Sequence, residues 1–458
     1  MRPRPVRRSP AVTMRRFFRT CTYLSVIVAA LALGSASAAP EPRTRLILIS
    51  VDGLLPTTYT SSAGSPVLRR FAARGAWASA VRGVWPTNTK PSHTSLITGV
   101  QPGVHGVVNN FPVDPAHDAN SPFGWYARDV KVPTLVSAAK AAGLSTAVVM
   151  WPVSVGLGAD YLVPTFNWQH PSDGNLMRAL STPHLIDEFE RDGGVPYEWP
   201  PTDAQRIDLA AFLLRAHQPD LLLLYVGTLD AFEHTYGTDA PMTAAALRDI
   251  DRLLERFLAV VATQPYPGDT YVAVVSDHGY IDVTDAVGPN TLFRREGLID
   301  TDERGVVQAW RAVSRGTGGS SLVYVEDASD AALVARVRTL LDTFAGEDRA
   351  GIDRVLERDE LVAAGADPDA AFGLAMRPGY SLIEDTDRLY GRPYIKAMHG
   401  YPPTHREMDA SFILAGPGLA GRGNIGTVRM TQIAPTLARL LGISLSPAAD
   451  LPIEAIGR

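Results

Sequence analysis

RLILISVDG, residues 45–53, is an apolar run that ends in an aspartate and a glycine. Arg45–Val51 is almost continuously apolar, a pattern typical of a strand that is buried on both faces of a parallel sheet. Asp52 follows at once, so its carboxylate lies at the carboxyl end of that strand. An acidic side chain there is costly unless another group compensates its charge. The stretch therefore predicts a compensating partner close to Asp52.

Three further stretches carry acidic or histidine side chains in comparable places: LLLLYVGTLDAFEH (residues 221–234), YVAVVSDHG (271–279) and KAMHGYPP (396–403). Their candidate ligands are Asp230, His234, Asp277, His278 and His399. Ligands bind beyond the carboxyl ends of the strands in sheets of this kind, and imidazole with carboxylate suits zinc. One such pair alone is more often a helix cap or a surface histidine, but the whole set predicts a metal site.

Strands and helices alternate along the chain. The pattern predicts strands at 45–51, 145–150, 220–226, 270–276 and 410–415, and helices at 132–142, 202–216, 244–262 and 430–441. Such alternation favours an α/β fold, with a mostly parallel sheet sandwiched by helices.

The stretch from about residue 285 to residue 396 interrupts this order. It carries mixed helix and strand signals, many charges and the glycines Gly316, Gly318 and Gly319. We expect it to be an inserted smaller subdomain that partly covers the site. The metal-binding catalytic core would then consist of residues 39–284 and 397–458.

Residues 1–38 have the features of a secretory signal peptide: seven arginines, the apolar run Tyr23–Leu33 and a small-residue cleavage site at Ala36-Ser37-Ala38. A membrane anchor is the alternative, but the run is short for a spanning helix. Cleavage would leave 36 basic and 48 acidic residues, a net charge of −12, and would remove the only cysteine, Cys21. We therefore expect an exported protein, periplasmic or extracellular, without disulfides, without a membrane span and without nucleic acid as a stable partner.

A candidate nucleophile lies in WPTNTKPSHTS, residues 85–95, which leads from a loop into a helix. A hydroxyl at a helix N-terminus lies in positive potential, and a metal ion lowers its pKa further. Composition leaves four candidates open: Thr87, Thr89, Ser92 and Thr94. Helix capping is the alternative role for each of them. A metal site beside a hydroxyl indicates a hydrolase. The chain has neither a G-x-S-x-G elbow nor a Walker loop, which disfavours the usual serine hydrolases and P-loop enzymes.

At these residues the chain resembles the alkaline phosphatase superfamily and, within it, the nucleotide pyrophosphatase/phosphodiesterase family. The similar stretches occur in the family's order and span most of the chain: SVDG (50–53), PTNTKPSHTSLITGVQPGVHGVVNN (86–110), LDAFEHTYG (229–237), VVSDHGY (274–280), HGYPPTHREMDASFILAGPG (399–418) and TQIAPTLARLLGI (431–443). Any one of these pieces is weak evidence, but the ordered set is specific.

The resemblance implies a role for each candidate. Thr89 matches the family's nucleophile, and Asn110 matches the asparagine that holds a phosphoryl oxygen. Two zinc ions are implied, one bound by Asp230, His234 and His399 and the other by Asp52, Thr89, Asp277 and His278. Lys90 departs from the family, which often has an aromatic residue there. Lys90 would either bind an anionic substrate group or point to solvent.

The implied function is that of a secreted two-zinc phosphodiesterase or nucleotide pyrophosphatase. It would act on small phosphate esters or nucleotides through a phosphothreonine intermediate. A phosphomonoesterase with the same metals is the nearest alternative, although it would need further cations, for which Lys90 and Arg128 are the candidates. A noncatalytic binding protein with the same fold is the other alternative. Sulfatase activity is disfavoured, because Thr89 stands where sulfatases have a cysteine. His93 and His105 are expected to have supporting or structural roles, and the sequence predicts no oligomeric state.

Overall fold

The run that begins at Arg45 forms a central strand of an eight-stranded sheet. The computed structural model describes residues 43–61, 65–111, 113, 124–166, 173–193, 195–446 and 450–457. The expected signal peptide, with Cys21, lies outside the described residues. Residues Thr44–Arg458 form one compact unit. Within the described ranges no helix is both long and apolar enough to cross a membrane.

The strands, numbered in chain order, are β1 Arg45–Val51, β2 Ala76–Trp77, β3 Ala80–Arg82, β4 Thr146–Val149, β5 Tyr161–Val163, β6 Leu221–Val226, β7 Thr270–Val275, β8 Ile281–Asp282, β9 Asp285–Val287, β10 Ile299–Thr301, β11 Val307–Trp310, β12 Ala312–Gly316, β13 Ser320–Val325, β14 Ile352–Glu357, β15 Phe372–Met376, β16 Tyr380–Leu382, β17 Tyr390–Gly391, β18 Ala397–Met398, β19 Phe412–Ala415, β20 Gly423–Asn424 and β21 Thr427–Arg429.

The described α-helices are Thr57–Thr60, Pro66–Ala72, Thr89–Thr98, Pro102–His105, Leu135–Ala141, Asp173–Leu180, Leu185–Gly193, Asp203–Ala216, Thr228–Tyr236, Pro241–Thr263, Pro289–Arg295, Ala331–Ala345, Arg358–Ala363 and Ile433–Leu441. Short 3-10 turns lie at Ala127–Asp129, Asp348–Ala350, Arg406–Met408, Met430–Gln432 and Glu454–Ile456.

The main sheet has the order β20-β2-β19-β7-β1-β6-β4-β5. Strand β1 is parallel to both of its neighbours, β6 and β7. Strand β19 is antiparallel to its neighbours β7 and β2. The sheet is therefore mostly parallel, and the predicted α/β fold with helices on both faces is confirmed. The antiparallel direction of β19 was not part of the prediction.

Side chains of β1 alternate between two hydrophobic cores, which is why the whole strand is apolar. Ile47 and Ile49 face one core, together with the helices Asp203–Ala216 and Pro241–Thr263. Leu46 and Leu48 face the other core, which includes the helices Thr89–Thr98, Leu135–Ala141 and Ile433–Leu441. The burial of both faces fixes the sheet as a rigid platform for the residues at its carboxyl edge.

The stretch 285–396 has its own antiparallel sheet, in the order β12-β13-β15-β14. A third hydrophobic core lies there, and Trp85 and Tyr401 from outside the stretch belong to it. The chain enters this region after β8 and leaves it before β18, and these two strands pair antiparallel. On this basis we retain residues 285–396 as a proposed inserted subdomain.

Candidate metal centre and active site

The acidic candidates lie at the carboxyl edge of the main sheet. Asp52 directly follows β1, Asp277 follows β7 by two residues, and Asp230 lies in the first turn of the helix Thr228–Tyr236, just after β6. Asp203 fixes the start of that helix, because its carboxylate accepts hydrogen bonds from the backbone N–H groups of Gly227 and Thr228 at 3.1 and 3.0 Å. Three neighbouring strands therefore deliver their carboxylates to one place.

Asp230, His234 and His399 form one group of possible metal ligands, whose nearest ligand atoms lie within 4.8 Å of one another. We call this group the half-exposed cluster, because Asp230 and His234 are partly exposed whereas His399 is buried. His234 Nδ1 donates to Ala397 O at 2.9 Å, and His399 Nδ1 donates to Asn88 Oδ1 at 2.9 Å. Each Nε2 is then left as an acceptor that faces Asp230, which is the usual arrangement of metal-binding histidines.

Asp52, Asp277 and His278 form a second group, which we call the buried cluster. His278 Nε2 lies 3.0 Å from Asp277 Oδ2 and 3.4 Å from Asp52 Oδ1. The other two carboxylate oxygens accept ordinary hydrogen bonds, Asp52 Oδ2 from Tyr225 OH at 2.7 Å and Asp277 Oδ1 from Gly53 N–H at 3.2 Å. Asp52 Oδ1 and Asp277 Oδ2, both buried, have no hydrogen bond of normal geometry within the described chain.

The two carboxyl groups of the buried cluster are shifted in opposite directions. Burial, with the charges of Asp230 and Asp277, raises the pKa of Asp52 well above its usual value. Burial also opposes ionisation of Asp277, but the imidazoles of His278 and His93 outweigh it and hold the pKa of Asp277 below its usual value. A cation between these oxygens would allow both carboxyl groups to ionise.

These donor sets fit divalent cations. Buried carboxylate oxygens without hydrogen bonds lie beside imidazole nitrogens, a donor combination that zinc prefers. In His234 and His399 the opposite ring nitrogen is already bonded, which fixes the direction of each ring. The two clusters adjoin each other, because the rings of His278 and His399 stack at a centroid distance of 3.7 Å. A further combination of possible ligands, Asp52, Asp230 and His278, spans both clusters.

Among the hydroxyl candidates of residues 85–95, Thr89 adjoins the buried cluster. It is the first residue of the helix Thr89–Thr98, and its Oγ1 lies 3.4 Å from His278 Nε2. Thr87 Oγ1 instead donates to Tyr401 O at 2.7 Å, and Thr94 Oγ1 donates to Lys90 O at 2.8 Å. The fourth candidate, Ser92, is fully buried.

His93 lies beneath the nucleophile candidate and supports it. Its Nδ1 donates to Thr89 O at 2.8 Å, and its Nε2 lies 2.8 Å from Ser50 Oγ. His93 is also within ligand distance of Asp52 and Asp277. Because both ring nitrogens have hydrogen-bond partners, His93 is better suited to orient Thr89 than to bind a metal.

Lys90 and Asn110 bind each other at two points. The Lys90 backbone N–H donates to Asn110 Oδ1 at 2.8 Å, and Lys90 Nζ donates to Asn110 O at 3.0 Å. Lys90 is buried rather than turned to solvent, and burial lowers its pKa to about 6. The bond to Oδ1 directs the Asn110 amide Nδ2 away from Lys90. The structure thus brings Asn110 to the first turn of the Thr89 helix.

Several residues that hold the ligands in place were not evident from the sequence. Tyr225 donates to Asp52, Tyr280 OH donates to Asp230 Oδ1, and Asn88 accepts from His399. Glu233 is also buried beside the half-exposed cluster, where burial and the charge of Asp230 raise its pKa well above the usual value. A tyrosine inside the apolar run of β6 was the one signal available, because a buried hydroxyl requires a partner.

The sheet, its helix layers and the residues at its carboxyl edge define an alkaline phosphatase-like α/β protein. The murine ectonucleotide pyrophosphatase/phosphodiesterase 5 structure, an inactive variant in complex with AMP, has the same fold, with a TM-score of 0.64 at 18% sequence identity over 88% of this chain and 96% of that one. The sequence profile of the type I phosphodiesterase / nucleotide pyrophosphatase family matches residues 46–402. The chain belongs to this family.

Two curated relatives show how far their sequences differ from this chain. Ectonucleotide pyrophosphatase/phosphodiesterase 1 of Saccharomyces cerevisiae is 27% identical over 235 residues, which are 47% of this chain and 30% of the yeast protein. Venom phosphodiesterase 2 of Crotalus adamanteus is 24% identical over 252 residues, 52% of this chain and 27% of that protein. The matched part therefore covers less than a third of either relative.

Proposed function

We propose that this chain is an exported phosphodiesterase or nucleotide pyrophosphatase that binds two zinc ions and forms a phosphothreonine intermediate on Thr89. The observation that carries the proposal is the position of Thr89 Oγ1 at the start of a buried helix, 3.4 Å from Nε2 of His278 in the buried cluster. Family membership supports the reaction class. The relatives named as ectoenzymes and as a venom enzyme support export.

The proposed ligands follow the two clusters. The half-exposed cluster would hold one zinc ion, and the buried cluster with Thr89 Oγ1 would hold the other. When bound, the two ions would supply positive charge that lowers the pKa of the Thr89 hydroxyl and stabilises negative charge on the attacking and leaving oxygens. The native metal is proposed as zinc because imidazole and carboxylate donors are mixed here.

The chain's own groups would do the rest. His93 holds the Thr89 carbonyl, which orients the first turn so that Oγ1 faces His278. Thr89 Oγ1 would attack phosphorus, the bond from phosphorus to the leaving oxygen would break, and the Asn110 amide would donate to a nonbridging oxygen. Water would then cleave the phosphothreonine and regenerate the hydroxyl. Two in-line displacements give net retention of configuration at phosphorus.

The surroundings of the two candidate cations, Lys90 and Arg128, favour a diester over a monoester. A monoester presents further negatively charged oxygens, which need further cations. Lys90 Nζ donates to Asn110 O, and the Arg128 side chain is 79% exposed, with its Nε 4.0 Å from Asp129 Oδ1. Lys90 is therefore engaged with the Asn110 backbone, and Arg128 is largely exposed to solvent, so neither is committed to a further phosphoryl oxygen. A phosphomonoesterase is the alternative function, and a comparison of hydrolysis rates on a diester and a monoester tests it.

The substrate class is proposed as nucleotides and small phosphodiesters. The murine family member was solved with AMP as an inactive threonine-to-alanine variant. That protein supports both a nucleotide ligand and the importance of a threonine hydroxyl. Rates on a nitrophenyl phosphodiester and on the matched monoester test the preference, with the diester expected to be the faster substrate.

Thr89→Ala tests the nucleophile. We expect nearly complete loss of turnover with little change in metal content, because the other proposed ligands remain. Thr94→Ala is the matched control, since Thr94 lies in the same buried helix and its hydroxyl only donates to Lys90 O. Near-normal activity of Thr89→Ala would refute the assignment. Metal-loaded wild-type protein that hydrolyses no phosphate ester would instead indicate a noncatalytic binding protein.

A further inference from the structure

A turn of the inserted region lies against the loop that carries His399. This turn, Thr317–Ser320, joins β12 to β13 and contains part of the glycine-rich patch of the sequence; we call it the clasp. The Gly319 N–H donates to His399 O at 2.8 Å, and the Ser320 hydroxyl donates to Gly400 O. The clasp therefore holds two consecutive carbonyl groups of the loop.

Glycines allow the two backbones to come this close. A Cβ on Gly319 would lie 2.1 Å from the ring of Tyr401, and one on Gly400 would lie 1.7 Å from Thr317 O. Gly318 has a φ of +99°, a conformation that other residues rarely adopt. Gly318 and Gly319 of the patch are thus explained by direct contact between the clasp and the loop.

The clasp is also fixed on its other side. Gly319 O accepts from Met376 N–H at 3.0 Å, and Gly318 O accepts from Leu382 N–H at 2.8 Å. Met376 ends β15 and Leu382 ends β16, so the turn is tied to the strands of the inserted region. A turn that is held this firmly also fixes the position of the His399 loop that is bonded to it.

The same junction reaches the segment that leads to Thr89. Ser320 Oγ accepts from Trp85 Nε1 at 2.9 Å, and the Gly400 N–H donates to Thr87 O at 3.0 Å. The clasp, the His399 loop and the residues before Thr89 therefore form one hydrogen-bonded unit.

This unit sets the direction of the His399 ring. Its Nδ1 is bonded to Asn88 Oδ1, and its Nε2 lies 4.0 Å from Asp230 Oδ1. His399 is itself almost fully buried, so the position of its backbone determines where Nε2 lies. A shift of the loop would move Nε2 out of the half-exposed cluster.

We propose that the clasp is a positioning element for His399, through which the inserted region completes the half-exposed cluster. This inference rests on the proposed function, because it takes His399 as a metal ligand. The clasp acts through the loop carbonyls and not on the substrate. Removal of an outer partner of a metal ligand typically lowers metal affinity about ten- to hundredfold.

Ser320→Ala tests the proposal in the full chain. The protein is stripped of metal with a chelator, and Zn²⁺ is titrated back in competition with a chromophoric chelator. We expect the wild type to bind two equivalents. In Ser320→Ala one equivalent should bind about ten- to hundredfold more weakly while the other is unchanged. The absorption spectrum of the Co²⁺-loaded variant should change for one site only.

Ser321→Ala is the matched control. Ser321 is the next residue of β13 and is equally buried, but its hydroxyl bonds to Ser314 Oγ at 2.8 Å, away from the His399 loop. Both zinc affinities of Ser321→Ala should match the wild type. Equal affinities in Ser320→Ala and Ser321→Ala would overturn the proposal.

A second pair of variants covers the case in which Ser320→Ala fails to fold. Thr317 Oγ1 lies 2.8 Å from Ser320 O and 3.1 Å from Gly400 O. Thr317→Val keeps the shape and removes the hydroxyl, so it should weaken the same equivalent, and Thr317→Ser should restore it. Unchanged zinc binding in Thr317→Val would again contradict the clasp.

The two proposals fail in distinguishable ways. Zinc titration does not require turnover. Wild-type protein that binds two zinc ions but cleaves no phosphate ester would refute the proposed function alone. Active wild-type protein whose zinc affinities are unaffected by Ser320→Ala and Thr317→Val would refute the clasp alone.

Discussion

The two donor clusters differ in how far solvent reaches them. The side chains of Asp52, Asp277 and His278 are at most 1% exposed, whereas those of Asp230 and His234 are 19% and 23% exposed. Both clusters combine carboxylate with imidazole, and their histidines stack against each other. The exposure of Asp230 and His234, rather than ligand type, separates the two clusters, since the His399 side chain is only 4% exposed.

This difference indicates different tasks for the two clusters. Carboxylates as buried as Asp52 and Asp277 depend on a cation for the compensation of their charge, because the protein interior stabilises an isolated charge poorly. The half-exposed cluster keeps contact with solvent, which suits the side at which a leaving group departs and water enters. We therefore expect the buried cluster to be the less tolerant of the two.

Asp277→Asn tests this comparison and should have the largest effect. Removal of one partner from a buried ion pair costs about 3–5 kcal/mol. At the buried cluster this corresponds to a loss of zinc affinity of roughly a hundred- to several-thousandfold. Turnover should fall with it. Zinc titration and phosphodiester hydrolysis measure both effects.

Asp230→Asn is the matched change in the half-exposed cluster. It should weaken the other zinc equivalent by a smaller factor, because water partly replaces the lost charge. Equal losses of zinc affinity in the two variants would contradict the distinction between a buried and a half-exposed cluster.

Lys90→Met distinguishes the positioning of Asn110, which would bind a phosphoryl oxygen, from the binding of metal. Its effect should be intermediate. The variant loses the bond from Nζ to Asn110 O, so Asn110 is held less firmly. We expect kcat to fall about tenfold, less than the direct removal of a donor to the reacting oxygen, with both zinc affinities unchanged. Steady-state kinetics and zinc titration measure these quantities.

Lys140→Met provides the control, since Lys140 is a partly exposed lysine that pairs with Asp160. A rise of KM confined to substrates with an extra negative charge, at unchanged kcat, would mean that Lys90 binds substrate directly and does not position Asn110.

Among these variants, a change at His105 should have the smallest effect. Because His105 is buried but is not a proposed metal ligand, its effect reports burial alone. Its Nδ1 accepts from the Val107 N–H at 3.1 Å, so its Nε2 carries the hydrogen and donates to Ser95 Oγ at 3.0 Å. Burial lowers the pKa of His105 to about 3. In the unfolded state the pKa of this histidine is near 6.5, so the unfolded chain takes up the proton first as pH falls. The stability that neutral His105 contributes is therefore complete above pH 6.5 and is lost as pH falls toward 3.

Metal-free protein should lose about 2 kcal/mol of unfolding free energy through His105 between pH 6.5 and pH 5. His105→Gln should reduce that loss, as measured by urea unfolding at each pH. His184→Gln, at a histidine whose side chain is 87% exposed, should leave the loss unchanged. A pH dependence of His105→Gln identical to that of the wild type would contradict the assignment of a neutral, buried imidazole.

Much of the fold was predictable because it depends on local patterns. The apolar runs before Asp52, Asp230 and Asp277 predicted strands whose carboxyl ends meet, and these strands are neighbours in the sheet. Element ends were less predictable, since capping decides them: the helix expected from residue 132 begins at Leu135, where Thr134 caps it through Ser137 N–H. The antiparallel β19 depends on long-range pairing, which a local pattern does not encode.

The supporting groups of the site were not predictable for a similar reason. The bond between Tyr225 and Asp52 joins residues 173 positions apart, and the clasp meets His399 from about 80 residues away. Lys90 could be read from the sequence as a substrate contact or a solvent-exposed charge. The structure shows a buried amine bonded to Asn110 O, an arrangement that arises only when both segments are folded.

Anomalous diffraction from zinc-loaded crystals tests the central claim most directly. We expect two peaks about 4 Å apart, one bonded to Asp230, His234 and His399, and the other bonded to Asp52, Asp277, His278 and Thr89 Oγ1. A single peak, or a second peak away from Thr89, would contradict a two-zinc site around the Thr89 hydroxyl.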